Sequence, residues 1–240
     1  MTMPPKMTFP KYECKLISNG KTISFRPFLV KEEKLQLMAA ASKDKNEIKN
    51  AIEQIVGNCV LDDNFDVAKA STFDVEWIMI NLRIHSVGDR IEVPYTCKNI
   101  PTGKTEICDT PFKINYTLSE VEIIKDESLN AKIWLDDNLG VMMRPPRFSI
   151  AEKEDPTFAY SVLADSVAQI FTKKNEDVYT FEESSEAEIT DWFESLTKEA
   201  FTKLVDYLSR LPRFEVNKTH VCESCGFEHK IKVDNLSSFF

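Results

Sequence analysis

Four cysteines in two pairs, each just before a similar strand, constrain this chain more than any other feature. The first pair lies in Tyr95-Thr96-Cys97…Cys108-Asp109-Thr110-Pro111-Phe112-Lys113-Ile114. The second is Cys222-Glu223-Ser224-Cys225, followed by Gly226-Phe227-Glu228-His229-Lys230-Ile231. Counting from the last cysteine of each pair, Lys113-Ile114-Asn115-Tyr116 falls opposite Lys230-Ile231-Lys232-Val233, and a leucine follows each strand, Leu118 and Leu236. Two matching knuckles, each offering two thiolates, would together complete a tetrahedral zinc site of Cys97, Cys108, Cys222 and Cys225. Such a site would tie the middle of the chain to its C-terminal part. The Cys97–Cys108 spacing is long for a knuckle, so the repeated strand pattern carries that half of the reading. Cys222 and Cys225 with one or both of His220 and His229 form a second candidate ligand set, and two metal-free thiol pairs a third reading. Redox chemistry ranks lower, because an active Cys-x-x-Cys normally opens a helix, whereas this one leads into a strand.

At 240 residues the chain can bury a real core in one large domain or two modest ones. Its 42% hydrophobic and 29% charged residues describe an ordinary globular protein. No run of about 18 apolar residues exists, so no membrane span is expected. The opening Met1-Thr2-Met3-Pro4-Pro5-Lys6 lacks the apolar stretch of a signal peptide. Six cysteines in an unsecreted chain should stay reduced, which favours metal binding or burial over disulfides. Cys14 and Cys59 sit among apolar positions and read as core filler. A net charge of −9 with dispersed basic residues argues against nucleic acid as a partner.

Tyr12–Ile17 and Thr22–Phe28 flank Asn19-Gly20 and read as a β-hairpin. Helices are expected over Val30–Ala41, with a charged first turn read as solvated, then around Ile48–Cys59, and over Phe73–Val87. Strand chemistry follows around the first cysteine pair and recurs at Val121–Lys125, Lys132–Leu135 and Val141–Arg144. Helical spacing returns over Thr157–Thr172 and along Phe193, Leu196, Ala200, Leu204, Leu208 and Leu211, with a capping box at Ser185-Glu186-Ala187-Glu188. The expected fold class is α+β: a mainly helical body, an N-terminal β-hairpin, and two β/cysteine knuckles forming a zinc-ribbon-like subdomain. The segments run 1–89 (hairpin and helices), 90–150 (β-rich, first cysteine pair), 151–212 (helical) and 213–240 (C-terminal knuckle). Together they make one compact unit.

Catalytic constellations are scarce. There is no Gly-x-Ser-x-Gly, no Gly-x-x-x-x-Gly-Lys and no His-Glu-x-x-His, and six glycines leave little material for phosphate loops. The chain reads as a non-enzyme. Trp77, Trp134 and Trp192 lie in apolar patterns and read as core. The terminal Phe239-Phe240 either packs on the protein's own core or docks into a partner.

Three stretches together carry a family resemblance: Phe25-Arg26-Pro27-Phe28-Leu29-Val30-Lys31-Glu32-Glu33-Lys34, then Phe73-Asp74-Val75-Glu76 leading to Leu82-Arg83-Ile84-His85-Ser86-Val87-Gly88, and Cys222-Glu223-Ser224-Cys225-Gly226 ending in Phe239-Phe240. The chain resembles the baseplate hub assembly proteins of T-even-like contractile-tailed bacteriophages over nearly its whole length. The resemblance implies a late viral protein made in the infected bacterium's cytoplasm, with a place in the virion baseplate open to it. Its partners would be other hub or tail-initiator proteins, the tape-measure protein among them. A structural hub component, a transient chaperone absent from the finished virion, and a non-viral zinc-ribbon adaptor are the alternatives.

Overall fold

The computed structural model describes residues 7–42, 44–149, 158–174 and 178–233. Strands β1 (Tyr12–Lys15) and β2 (Thr22–Phe25) form the expected hairpin, and Gly20 supplies the left-handed turn residue at φ 71°. Helices α1 (Val30–Ala41), α2 (Lys45–Cys59) and α3 (Thr72–Ser86) follow. Ile23 and Phe25 of the hairpin, Ile55, Val56 and Cys59 of α2, and Val75, Ile78 and Leu82 of α3 make the first apolar cluster. Asp74, buried at the start of α3, accepts hydrogen bonds from the Ile17 and Ser18 amides and from the Ser71 hydroxyl, fixing the hairpin to the helix.

The charged first turn of α1 is not simply solvated. Glu32 is 0% exposed. Its carboxylate accepts from Arg26 Nη1 and Nη2 at 3.2 and 3.0 Å and from the Leu29 amide at 2.9 Å, and Lys31 Nζ lies 3.2 Å away. Arg26 also donates to the Asn58 carbonyl at 2.8 Å, so one guanidinium joins the hairpin, α1 and the end of α2. Burial alone would raise the pKa of Glu32, but the hydrogen bonds from Arg26, Leu29 and Lys31 outweigh it and hold the carboxyl below its ordinary value.

The middle of the chain makes a ribbon from β3 (Arg90–Thr96) and β4 (Pro111–Thr117), then the short β5 (Glu122–Ile124). Much later, β10 (Arg213–Val221) and β11 (Glu228–Val233) make a second ribbon, and β5 pairs with the base of β10 in a sheet ordered β11-β10-β5. Ile91, Ile114, Tyr116, Leu118, Phe214, Val216 and Val233 root both ribbons in a second apolar cluster with Phe73 and Ile80 of α3. Trp77 of α3 stacks on Phe214 at 5.8 Å.

A third cluster joins the four-stranded sheet β6 (Lys132–Trp134), β7 (Leu139–Met143), β8 (Val167–Thr172) and β9 (Val178–Tyr179) to helices α4 (Phe158–Ser166), α5 (Glu186–Ser195) and α6 (Lys198–Ser209). Here the expectation of a mainly helical body fails. Among the described residues six α-helices accompany eleven strands in four sheets, a mixed α/β architecture. The expected helix over Thr157–Thr172 stops at Ser166, whose carbonyl is taken by the Arg144 amide at 2.7 Å. From Val167 the chain becomes an inner strand, pairing Val141↔Ile170 on one side and Ile170↔Tyr179 on the other. The β-branched and aromatic run Val167-Ala168-Gln169-Ile170-Phe171-Thr172 suits that place. The apolar stripe from Phe193 to Leu211 likewise divides, because Thr197 caps a new helix by accepting from the Ala200 amide. The Ser185 capping box forms as expected. No helix among the described residues is long and apolar enough to cross a membrane.

Two stability measurements check this packing. Glu32→Ala should cost about 3–5 kcal/mol in denaturant unfolding by leaving Arg26 unpaired, while Glu33→Ala on the exposed side of the same turn should stay within about 0.5 kcal/mol. Because the folded-state value of Glu32 is depressed, its contribution is full above the ordinary glutamate value and declines as pH falls below about 4. Gly140→Ala should destabilise by about 1–3 kcal/mol, since a Cβ there would sit 2.5 Å from Phe171 Cε2 and 2.9 Å from Trp134 Cε3.

Candidate metal centre

The two ribbons end at the same place. In each, the first strand stops one residue before its first cysteine, at Thr96 and Val221, and the second strand starts three residues after its last cysteine, at Pro111 and Glu228. Local backbone geometry explains how the long first spacing closes. Beyond the strands the Cys97 amide donates to the Thr110 carbonyl at 2.9 Å, the Asp109 amide to the Cys97 carbonyl at 2.9 Å, and the Cys108 amide to the Asn99 carbonyl at 2.8 Å. The ladder thus runs past Cys97 and Cys108, leaving the intervening residues as a loop. Asp109 takes the turn at φ 52°, the one non-glycine residue with positive φ among those described.

The second knuckle is tighter. The Cys222 amide donates to the Phe227 carbonyl at 2.9 Å, the Gly226 amide to the Cys222 carbonyl at 2.8 Å, and Gly226 adopts φ 69°. This curl turns the Ser224 and Cys225 amides toward the Cys222 sulfur.

All four sulfurs, from Cys97, Cys108, Cys222 and Cys225, lie within 4.8 Å of one another. The contacts between knuckles are 3.7 Å for Cys97–Cys225 and 3.8 Å for Cys108–Cys222. A zinc ion bonded to four sulfurs at about 2.3 Å spaces them about 3.8 Å apart, so the cluster has the dimensions of a tetrahedral thiolate site. Cys97 and Cys222 are buried, and Cys108 and Cys225 half-buried. Of the alternative ligands, His220 stacks on Phe112 at 4.1 Å, while His229 Nε2 stands 3.2 Å from Cys97 Sγ, beside the four sulfurs.

Electrostatics show what the cluster requires. Backbone amides of Cys225 and Ser224 pull Cys222 down to about 6, and the Thr110 hydroxyl at 3.2 Å lowers Cys108. Burial, with the neighbouring sulfurs, pushes Cys97 up to about 12. Four groups in one small volume cannot all ionise without a cation, and a divalent ion would supply the missing charge. Thr110, His229 and Asn99, whose Nδ2 is 3.7 Å from Cys225 Sγ, would then serve as outer partners of the sulfurs. Sequence spacing indicated the four cysteines but not Asn99 or Thr110. The ribbon register that carries both past the strand ends is a tertiary fact. Phe239 and Phe240 lie outside the described residues.

Four cysteine sulfurs rooted in a folded core would, on a zinc ion, make a closed structural site with no open position. The profile of the family described as T4 bacteriophage base plate protein matches residues 9–240. The chain belongs to that family of phage baseplate proteins. No curated protein and no solved structure matches it significantly. Family membership sets aside the non-viral adaptor.

Thr110→Val should lower metal affinity by about 10–100-fold while leaving the fold intact, as loss of an outer partner generally does. Competition with a chromogenic chelator measures it.

Proposed function

We propose that this protein is a non-enzymatic component in assembly of the baseplate central hub, working through protein–protein contacts and stapled by one structural zinc. Membership of the baseplate family supports the structural role and the baseplate proteins as partners. The observation that carries the zinc is the spacing of the four sulfurs, which suits a tetrahedral ion. Cys97, Cys108, Cys222 and Cys225 would bind as thiolates, join the two ribbons, and leave no coordination position for substrate. Assembly would take place in the host cytoplasm, with tail-initiator and tape-measure proteins among the candidate partners. Phe239 and Phe240 are proposed as terminal partner-binding rings.

Freshly purified, reduced protein should carry about one zinc per chain by elemental analysis. Cys225→Ser should lower both zinc content and melting temperature, because metal binding is coupled to folding. Cys14→Ala should leave zinc unchanged. Metal-free protein with unaltered stability would sink the zinc reading. For the role itself, a phage lacking this chain should accumulate unassembled hub proteins. Mass spectrometry of purified particles then separates a resident component from a transient chaperone. Deleting Phe239 and Phe240 should leave the melting temperature nearly unchanged but abolish co-purification with hub proteins.

A further inference from the structure

Four large apolar side chains stand exposed around the cysteine cluster: Ile100, Ile107, Val221 and Phe227, at 55, 50, 56 and 44%. Ile107 and Val221 immediately precede Cys108 and Cys222, and Phe227 follows Cys225 by two residues. Ile100 follows Asn99, whose amide nitrogen touches the Cys225 sulfur. The two groups lie more than a hundred residues apart in the chain, yet both adjoin the one cluster whose sulfurs lie within 4.8 Å of one another.

Of the four, Phe227 also meets the ribbon interior, edge-on to His229 at 4.9 Å, whereas Ile100, Ile107 and Val221 are at least half exposed. The inner face between the ribbons is already filled by rings: Tyr95 and His220 stack on Phe112 at 5.8 and 4.1 Å, and His229 lies tilted against it at 5.0 Å. Alternation along β10 turns His220 inward onto Phe112 and therefore Val221 outward. Exposed apolar groups gathered at one place are characteristic of interaction sites.

Charge selects the occupant. Residues 97–109 and 220–230 hold three lysines, Lys98, Lys104 and Lys230, against four carboxylates, Glu106, Asp109, Glu223 and Glu228. Zinc held by four thiolates adds two further negative charges. A second copy would set the same negative surface against itself in a two-fold contact, which disfavours self-association. We propose that the cysteine-bound tip is a docking knob for another baseplate protein, whose receiving surface is an apolar patch rimmed by arginine and lysine. This deepens the proposed function and takes its charge from the zinc reading.

The test places a photo-crosslinking phenylalanine derivative at Ile107 or Val221, and at Leu37 on exposed α1 as control, during phage infection. Tip adducts should map to a different baseplate protein, at an apolar peptide flanked by arginine or lysine, and the Leu37 position should not yield that adduct. With that partner purified, zinc-loaded protein carrying Ile100→Ser and Ile107→Ser together should keep its melting temperature and bind at least about tenfold more weakly. Raising salt should weaken the wild-type complex. Adducts confined to a second copy or to nucleic acid, or unchanged binding by the zinc-loaded double variant, would overturn the docking surface while leaving the zinc in place. Tip adducts from freshly purified protein in which elemental analysis finds no zinc would support the docking surface and remove the zinc reading alone.

Discussion

Two β-ribbons of six to nine residues a strand cannot hold their far ends together by backbone ladders alone, and the convergence of four sulfurs is what closes this structure. The ribbon bases are secured by apolar contacts in the second cluster, where Tyr116, Leu118 and Phe214 meet α3. The tips have no such core. The rings of Phe112, His220 and His229 fill part of the gap, and the cysteines lie beyond them. A link between chain positions 114 to 128 residues apart removes about 4–5 kcal/mol of chain entropy from the unfolded state if it is permanent. That is a large share of a domain's net stability.

A different kind of constraint fixes the N-terminal part. Arg26 and Glu32 would be costly to bury singly. Together, with the Leu29 amide and the Asn58 carbonyl, they satisfy one another and set where the first helix begins. The segment Arg26–Lys34, the most distinctive part of the family resemblance, therefore has an architectural explanation. The exposed apolar residues in and just after it, Val30, Leu37 and Met38, are separate from that pair. Helix α3 then connects the parts. Val75, Ile78 and Leu82 face the first cluster, while Phe73 and Ile80 face the second.

Much of this was legible in the sequence because it depends on short-range chemistry. Asn19-Gly20 specifies a hairpin turn, Ser185 and Glu188 a helix start, and the cysteine-strand repeat a pair of knuckles. Helix α1 begins and ends where its sequence pattern places it. The run from Val167 to Thr172 was not legible, since Val167, Ile170 and Phe171 satisfy helical spacing as well as they satisfy a buried strand. Pairing with β7 and β9 decides the matter, and those partners are distant in the chain. Glu32 was misread for a related reason. A glutamate in a first helical turn is ordinarily solvated, and only the placement of Arg26 makes its burial possible.

The sequence by itself determined which thiols could act together, the absence of a recognisable catalytic motif, the hairpin, and the family. These rest on residue type and spacing, which need no knowledge of distant neighbours. Tertiary structure alone decided that Asn99, Thr110 and His229 surround the sulfurs, that the third part is built on a four-stranded sheet, and that the exposed Ile107 and Val221 adjoin cysteines of one cluster. Those outcomes depend on which strands pair and in what register. Register is fixed by cooperative burial of one face across segments far apart in the chain, a quantity that no local stretch of residues contains.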